Sequence, residues 1–306
     1  MPIASSGTLS FTDIQTEMGG TNPISISEYY GKDSQIPTSG VISANQFYSA
    51  QGPQTLTISM GPNFNLAANA AFAALDSTGE IVVTLTSDAY GTSSSNWAFD
   101  TGNLANHWKV TIQLNGNVRG AQGAQGAGGT SSSGGNGGPG GPGAIFRGST
   151  TRNNLFVYNN NYIAAGGGGG GGGGRIRVIA AHTNAYYVPR TKNPSSGAFS
   201  GGYGVPCANG AYGYANGGRG GYGNGGNMAL STSGGAVGYV LEDSCATTTG
   251  RYGGAGGNGG ALGVGGSSGA SATWSGGSGG ASNNAIYRTG NVSFPSGLGT
   301  YYGGLV

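Results

Sequence analysis

Three short phrases in the first fifty residues, LSFTDIQ (9–15), ISISEYY (24–30) and ISANQFY (42–48), each set an aliphatic residue before a serine. Asp13, Glu28 or Gln46 then follows three residues after that serine. This is the spacing of a capping box, so Ser10, Ser25 and Ser43 are predicted to cap short helices. The first helix should run to Met18 and stop at Gly19-Gly20. Helices this short cannot build an independent core. Residues 1–52 therefore read as an arm that docks onto something larger through Phe11, Ile14, Ile24, Tyr29, Tyr30, Phe47 and Tyr48. The period then changes to two. TLTISM (55–60), EIVVTLTS (80–87) and HWKVTIQLNG (107–116) alternate and are rich in Val, Ile and Thr, which predicts strands. LAANAAFAALD (66–76) suits a short helix, and Gly79, Gly91 and Gly102 mark turns. A small β-sandwich-like or jelly-roll-like domain is expected over 53–119, ending in NGNVRG (115–120).

From residue 120 the period is three. GAQGAQGAGG (120–129) has glycine at every third residue at first, and GGNGGPGGPG (134–143) has two in every three. Nine glycines, Gly166 through Gly170 to Gly174, then stand in a row. Three residues per turn is the polyproline-II helix, which has no internal hydrogen bonds and must satisfy its N–H and C=O groups sideways. A bundle of such helices does this. Edge helices need bare glycine only towards their neighbours, so Asn136, Pro139 and Pro142 are expected to point outward. A central helix tolerates no side chain, and 166–174 fits that place. Further glycine segments are expected at about 217–226, 253–266 and 276–280, with excursions at 144–165, 175–216, 227–252 and 267–275. The predicted fold is thus mainly β plus irregular: a helical arm (1–52), a small β domain (53–119) and a polyglycine-II bundle with loops (120–306).

Composition separates the two halves further. Gly accounts for 69 of 306 residues and charged residues for 7%, against about 7% and 25% in ordinary globular chains. Strict G-X-Y never persists, which excludes collagen. Residues 1–100 hold eight Asp/Glu and one Lys, a net of −7, whereas 101–306 hold eleven Lys/Arg and two acids, a net of +9. Such asymmetry implies different partners at the two ends. MPIASSGTLS has neither a cationic start nor an apolar core, so no signal peptide is expected. No run of 18 apolar residues predicts a transmembrane helix.

Two longer stretches carry a family resemblance. SFTDIQTEMGGTNPISISEYYG with IPTSGVISANQFYSA resembles the N-terminal signature of tail and fibre proteins of tailed bacteriophages. LFVYNNNYIAA running into poly-Gly, and the closing GGASNNAIYRTGNVSFPSGLGTYYGGLV, resemble phage glycine-rich tail proteins. They are similar to T-even-type tail-fibre tip adhesins. That likeness implies a virion protein made in the host cytoplasm, partnered by other tail or fibre proteins in several copies, with a homotrimer as one arrangement. It also implies that loops between polyglycine-II helices bind an outer-membrane protein or lipopolysaccharide. A purely structural virion component or a fibre assembly factor would share the arm and the lattice.

Little here could do chemistry, and no enzyme, cofactor or metal is expected. His107 sits in a strand pattern beside Trp108, and His182 has no acid or cysteine nearby. Glu242, Asp243 and Cys245 form the only tight cluster, and a short acidic loop explains it. Cys207 and Cys245 could equally be a disulfide or two thiols. GGRGGYGNGGN (217–227) holds one RGG, too little for nucleic acid, which is not an expected partner. Tyr and Arg make effective contacts on rigid scaffolds. The receptor-binding candidates are therefore Tyr186, Tyr187, Arg190, Tyr212, Tyr214, Tyr239, Arg251, Tyr252 and Trp274, with some of these rings expected to cover glycine faces instead.

Overall fold

A computed structural model describes residues 3–129, 133–175 and 254–306, together with the strand backbones at 176–179, 185–192, 199–201, 205–207, 212–215, 238–244 and 247–252. Ten strands come first: β1 (Gln54–Ser59), β2 (Phe64–Asn65), β3 (Glu80–Thr86), β4 (Ala89–Tyr90), β5 (Phe99–Asp100), β6 (Lys109–Leu114), β7 (Val118–Arg119), β8 (Ala144–Arg147), β9 (Leu155–Asn159) and β10 (Tyr162–Ala164). Next are β11 (Ile176–Ile179), β12 (Ala185–Lys192), β13 (Phe199–Gly201), β14 (Val205–Cys207), β15 (Tyr212–Ala215), β16 (Gly238–Ser244) and β17 (Thr247–Tyr252). The chain closes with β18 (Asn284–Thr289), β19 (Val292–Ser293), β20 (Thr300–Tyr302) and β21 (Gly304–Leu305).

The expected sandwich is replaced by a coil with three parallel faces. One face is β1-β3-β6-β9-β19, the second is β4-β7-β10-β20, and the third is β2-β5-β8-β18-β21. Every pairing within them is parallel. After a first turn that reaches the second face only through the Pro62–Tyr90 bridge, each turn of chain lays one strand on each face in the same order, so like residues stack. Ile81, Val110 and Leu155 form one interior row, and Val83, Ile112 and Val157 form the next. All six are fully buried. The alternation seen in EIVVTLT is the inward and outward pleat of this coil. Period two reports the pleat but not the partner strand, and so it could not tell a coil from a sandwich. Nor does the β unit end at residue 119. Residues 144–164 and 284–305 complete the same three faces, so the expected excursion 144–165 is coil.

Polar groups fix the corners. Asp88 accepts from the Asn117 N–H at 2.9 Å and pairs with Arg119 at 2.9 Å. Buried Asn154 accepts from the Ser149 N–H and donates to the Leu104 and His107 carbonyls. Before β3, helix α2 occupies only Ala70–Ala73, capped by Asn69, and it seats Phe72 in the core.

The glycine runs leave and rejoin the coil at one corner, between the second and third faces. Run 120–129 joins β7 to run 134–143, which enters β8; run 166–174 follows β10, and β18 follows run 275–283. Their hydrogen bonds repeat every third residue. Gly123, Gly126 and Gly129 donate to Gly167, Gly170 and Gly173, while Gly135, Gly138 and Gly141 donate to Ala127, Ala124 and Ala121. The expected 253–266 segment divides at Gly263 (φ +69°) into antiparallel runs 254–262 and 264–270. Residues 267–270 are therefore bonded within the array and are not an excursion. Pro139 is exposed as expected. Pro142 is buried where the run rejoins the coil, and the Asn136 side chain accepts from the Ser278 N–H. The segment expected at 217–226 lies outside the described residues.

The arm folds on itself. Helix α1 (Phe11–Met18) carries a closed capping box between Ser10 and Asp13, and a second box joins Ser43 to Gln46 before a 3-10 turn at Ala44–Phe47. The 3-10 turn at Ile26–Tyr29 has no side-chain bond from Ser25. Instead Glu28 accepts from the Thr21 N–H. Ile3, Ile14, Met18, Tyr29, Ile36, Phe47 and Ala50 form a small core. Fully buried Asp33 accepts from the Gln35 and Gln51 N–H groups, each at 2.9 Å. The arm meets the coil through Ser34 N–H to the Thr78 carbonyl and Trp108 Nε1 to the Gly31 carbonyl.

Candidate functional site

A binding surface needs exposed side chains on a framework that does not yield, and three regions can be compared on that basis. In the arm, Ile14, Tyr29 and Phe47, expected to dock, are buried in the arm's own core. Ile24 packs at the edge of that core, Tyr30 donates to the Gly40 carbonyl, and Tyr48 donates to the Gly7 carbonyl at 2.6 Å. Phe11 remains open at 59% exposure. Two residues that sequence reasoning passed over join it, Ile26 at 41% and Val41 at 86%. A signal was present for Ile26, which, like Phe11, follows the capping serine of a repeated phrase.

The second region is the set of strands between the glycine runs. Tyr186, Tyr187 and Arg190 lie on β12, Tyr212 and Tyr214 on β15, Tyr239 on β16, and Arg251 and Tyr252 on β17. Expected in loops, they fall on strands. Sheet β13-β12-β16-β17, with β14 also on β12, is antiparallel, and β15 pairs separately with β11. Register brings Arg190 opposite Tyr239, and Tyr239 opposite Tyr252, in one row across three strands. Tyr187 stands opposite Glu242 and Tyr186 opposite Asp243. Cys207 is on β14, while Cys245, His182 and the RGG tract lie outside the described residues. Trp274 sits in the turn between runs 264–270 and 275–283, where its N–H donates to the Arg175 carbonyl.

The third region is the last turn of the coil. Tyr301, Tyr302, Leu305 and Val306 are exposed on β20, β21 and the terminus, with Val264 also exposed. Tyr302 meets Tyr162 edge-on at 5.9 Å.

The framework beneath is stiff. A methyl group added to Gly169 would lie 1.8 Å from the Ala124 carbonyl oxygen, and one added to Gly171 would lie 1.9 Å from that of Gly277. Ion pairs brace the coil: Lys109 with Glu80 at 2.9 Å, and Arg147 with both oxygens of Asp100 at 2.9 and 3.1 Å. Asp100 raises the Arg147 pKa. Half-buried His107 packs on Phe72 at 5.1 Å, and burial lowers its pKa below the ordinary 6.5. Its Nδ1 has no partner among the described residues. Among those residues no three of His, Cys, Asp and Glu gather as a metal site. None of the described helices is long and apolar enough to cross a membrane.

Residues 53–306, from the residue before β1 to the terminus, match the model of the phage tail fibre adhesin Gp38 family. The chain belongs to that family. It is a bacteriophage tail-fibre adhesin, a receptor-binding component of the phage particle. The arm lies outside the matched range. The adhesin is also similar to the gp37–gp38 adhesin tip complex of the bacteriophage S16 long tail fibre, at 17% identity and a TM-score of 0.47 over 99% of this chain and 100% of that one. No curated protein sequence matches it.

Proposed function

We propose that the adhesin binds an outer-membrane protein or lipopolysaccharide through the strands and turns that a polyglycine-II lattice holds out, and that its arm docks onto another fibre protein. The observation that carries this reading is the run 166–174. It is buried throughout and bonded sideways at every third residue, as parallel and antiparallel polyproline-II-type chains would be. A scaffold of this kind takes its ordering cost at folding, so little remains to be lost when a receptor is engaged. The row Arg190, Tyr239 and Tyr252 suits recognition, since planar aromatic and guanidinium groups give large contacts with few rotatable bonds. The net positive charge beyond residue 100 favours an anionic bacterial surface. Several copies per particle, arranged as a trimer in the simplest case, would add avidity. The mechanism is binding rather than catalysis.

The test is adsorption competition. Purified full-length adhesin, added to host bacteria before the phage, should reduce adsorption. The same chain with Tyr186, Tyr187, Tyr212 and Tyr214 changed to Ala should not. If the folded parent chain leaves adsorption unchanged, the protein serves as a structural fibre component and the reading fails.

A further inference from the structure

The third face of the coil carries a group of outward side chains that belongs to neither core. Phe99, Phe146 and Ile286 point into the coil, so their strand neighbours Asp100, Ile145 and Tyr287 stand on the outside. Register joins these with Asn65 into one row across β2, β5, β8 and β18. Trp97 stands just before β5, at the root of glycine run 134–143, where the next N–H, that of Ala98, donates to the Gly143 carbonyl at 2.9 Å. The Trp97 and Tyr287 rings lie 5.9 Å apart, tilted by 39°. Two residues beyond Ile145, Arg147 turns its planar head to Asp100, Nε donating to one carboxylate oxygen and Nη2 to the other.

The Arg147 pKa is raised by its hydrogen bond to Asp100 first and by nearby Tyr287 as well, so rings and ion pair form one patch. All four side chains are partly open to solvent. A guanidinium has five N–H donors, of which this fork uses two, and a carboxylate has about four acceptor sites. Asp100 fills three of its own, the third with the Gly102 N–H at 2.7 Å. Unused donors therefore stand beside an unused acceptor. The ring faces are electron-rich and attract the slightly positive hydrogens of C–H groups. An anion is a poor match, because Asp100 already neutralises the Arg147 cation. A purely apolar partner is a better match for Tyr301, Tyr302 and Leu305 on the last turn, which are more exposed and have no such ion pair beside them. What suits the third face is a flat ligand with C–H groups on one face and hydroxyls at its rim.

We propose that Trp97, Tyr287, Asp100 and Arg147 form a subsite for a neutral pyranose ring. One C–H face of the sugar stacks on the aromatic pair. At its rim one hydroxyl donates to Asp100 and its neighbour accepts from the unused Arg147 N–H groups, so the fork selects vicinal hydroxyls. Asn65, beside Asp100 in the row, offers both a donor and an acceptor to the next hydroxyl. The subsite belongs to the coil and not to strands β12 to β17, so it stands or falls independently of the receptor reading above.

Saturation-transfer difference NMR on the full-length adhesin reads the contact directly. The probes are the methyl glycosides of glucose, galactose and mannose, and the delipidated saccharide of host lipopolysaccharide. Irradiating the aromatic protons of the protein should saturate the C–H protons on one face of the sugar. Transfer to the lipopolysaccharide saccharide as well names the source, whereas transfer to a glycoside alone assigns the same subsite to another glycan. Trp97→Ala and Tyr287→Ala should each weaken binding about fivefold, the loss of one ring contact. Arg147→Lys keeps the charge without the planar fork. It should weaken binding while the same sugar face is saturated, and it serves where removing a ring unfolds the chain. Tyr302→Ala, on the second face, should change nothing. Transfer to no probe from the folded parent chain would overturn the proposal, as would transfer that survives Trp97→Ala combined with Tyr287→Ala. If that double variant loses assembly onto purified fibres and no saccharide gives a signal, the rings are a protein contact and the proposal fails.

Discussion

Replacing Gly169 by Ala puts the lattice to its most direct test. The added methyl would sit 1.8 Å from the Ala124 oxygen and 2.6 Å from its carbon, whereas ordinary contact begins at 3.4 Å. Both atoms belong to the backbone, so no side chain can rotate away. Run 120–129 would have to retreat by roughly 1.5 Å. That stretches the neighbouring bonds from Gly123 to Gly167 and from Gly126 to Gly170, now 2.9 Å each, beyond hydrogen-bonding range. Each lost bond costs about 1 kcal/mol net, and each buried donor left unpaired adds about 1–3 kcal/mol. For the two bonds the expected loss is about 4–8 kcal/mol, or roughly 8–16 °C in Tm at about 2 °C per kcal/mol for a chain of this size. Gly265→Ala is the control in the same array. Its methyl would meet nothing closer than Gly280 oxygen at 3.2 Å, and the residue is exposed. There the smaller entropy of the unfolded chain should offset the contact to within about 1 kcal/mol. Thermal unfolding followed by circular dichroism compares the two. Equal Tm values for Gly169→Ala and Gly265→Ala would refute the claim that the central run is closed to side chains.

Three further outcomes are expected. Ile112→Ala, in the interior row with Val83 and Val157, should cost about 2–5 kcal/mol, read as a lowered urea midpoint; a change below 1 kcal/mol would contradict the coil packing. His107 binds its proton less readily folded than unfolded, so the unfolded chain holds more protons as pH falls below about 6.5. Stability should therefore be fully present above that pH and decline below it, and His107→Gln should flatten the slope of Tm between pH 5 and 7; an unchanged slope would place the titration elsewhere. Phe11→Asp with Val41→Asp should abolish assembly of the adhesin onto purified fibres while leaving Tm within a few degrees, because both side chains are exposed. Retained assembly would move the docking surface off this part of the arm.

The structure explains why some of these features were legible in the sequence and others were not. Capping boxes are local, and the Ser10–Asp13 and Ser43–Gln46 pairs closed as spaced. The Ser25 box did not, because Glu28 turned to the Thr21 N–H and the Ser25 hydroxyl to Ser27. Strands at 80–86 and 109–114 were written in their alternation. What hid the coil was its interruption: the strands opening at Gln54, Glu80 and Lys109 recur at a near-constant interval that the glycine runs then break. Period three exposed the sideways bonding but not the fold-back at Gly263, which depends on a single left-handed residue. Binding candidates were visible only as composition. Strand register, which set Arg190 opposite Tyr239 and Tyr239 opposite Tyr252, is a long-range property with no local mark.

One consequence of the period-three bonding concerns how such a protein can change over generations. Inserting or deleting one or two residues inside a run turns every later N–H towards the wrong neighbour, whereas a whole triplet restores every bond one turn further on. The turns that link the runs carry no such phase and can lengthen, shorten or exchange freely. Length is therefore quantised inside the lattice and continuous outside it. A phage lineage can therefore rewrite the turns without disturbing the runs they connect.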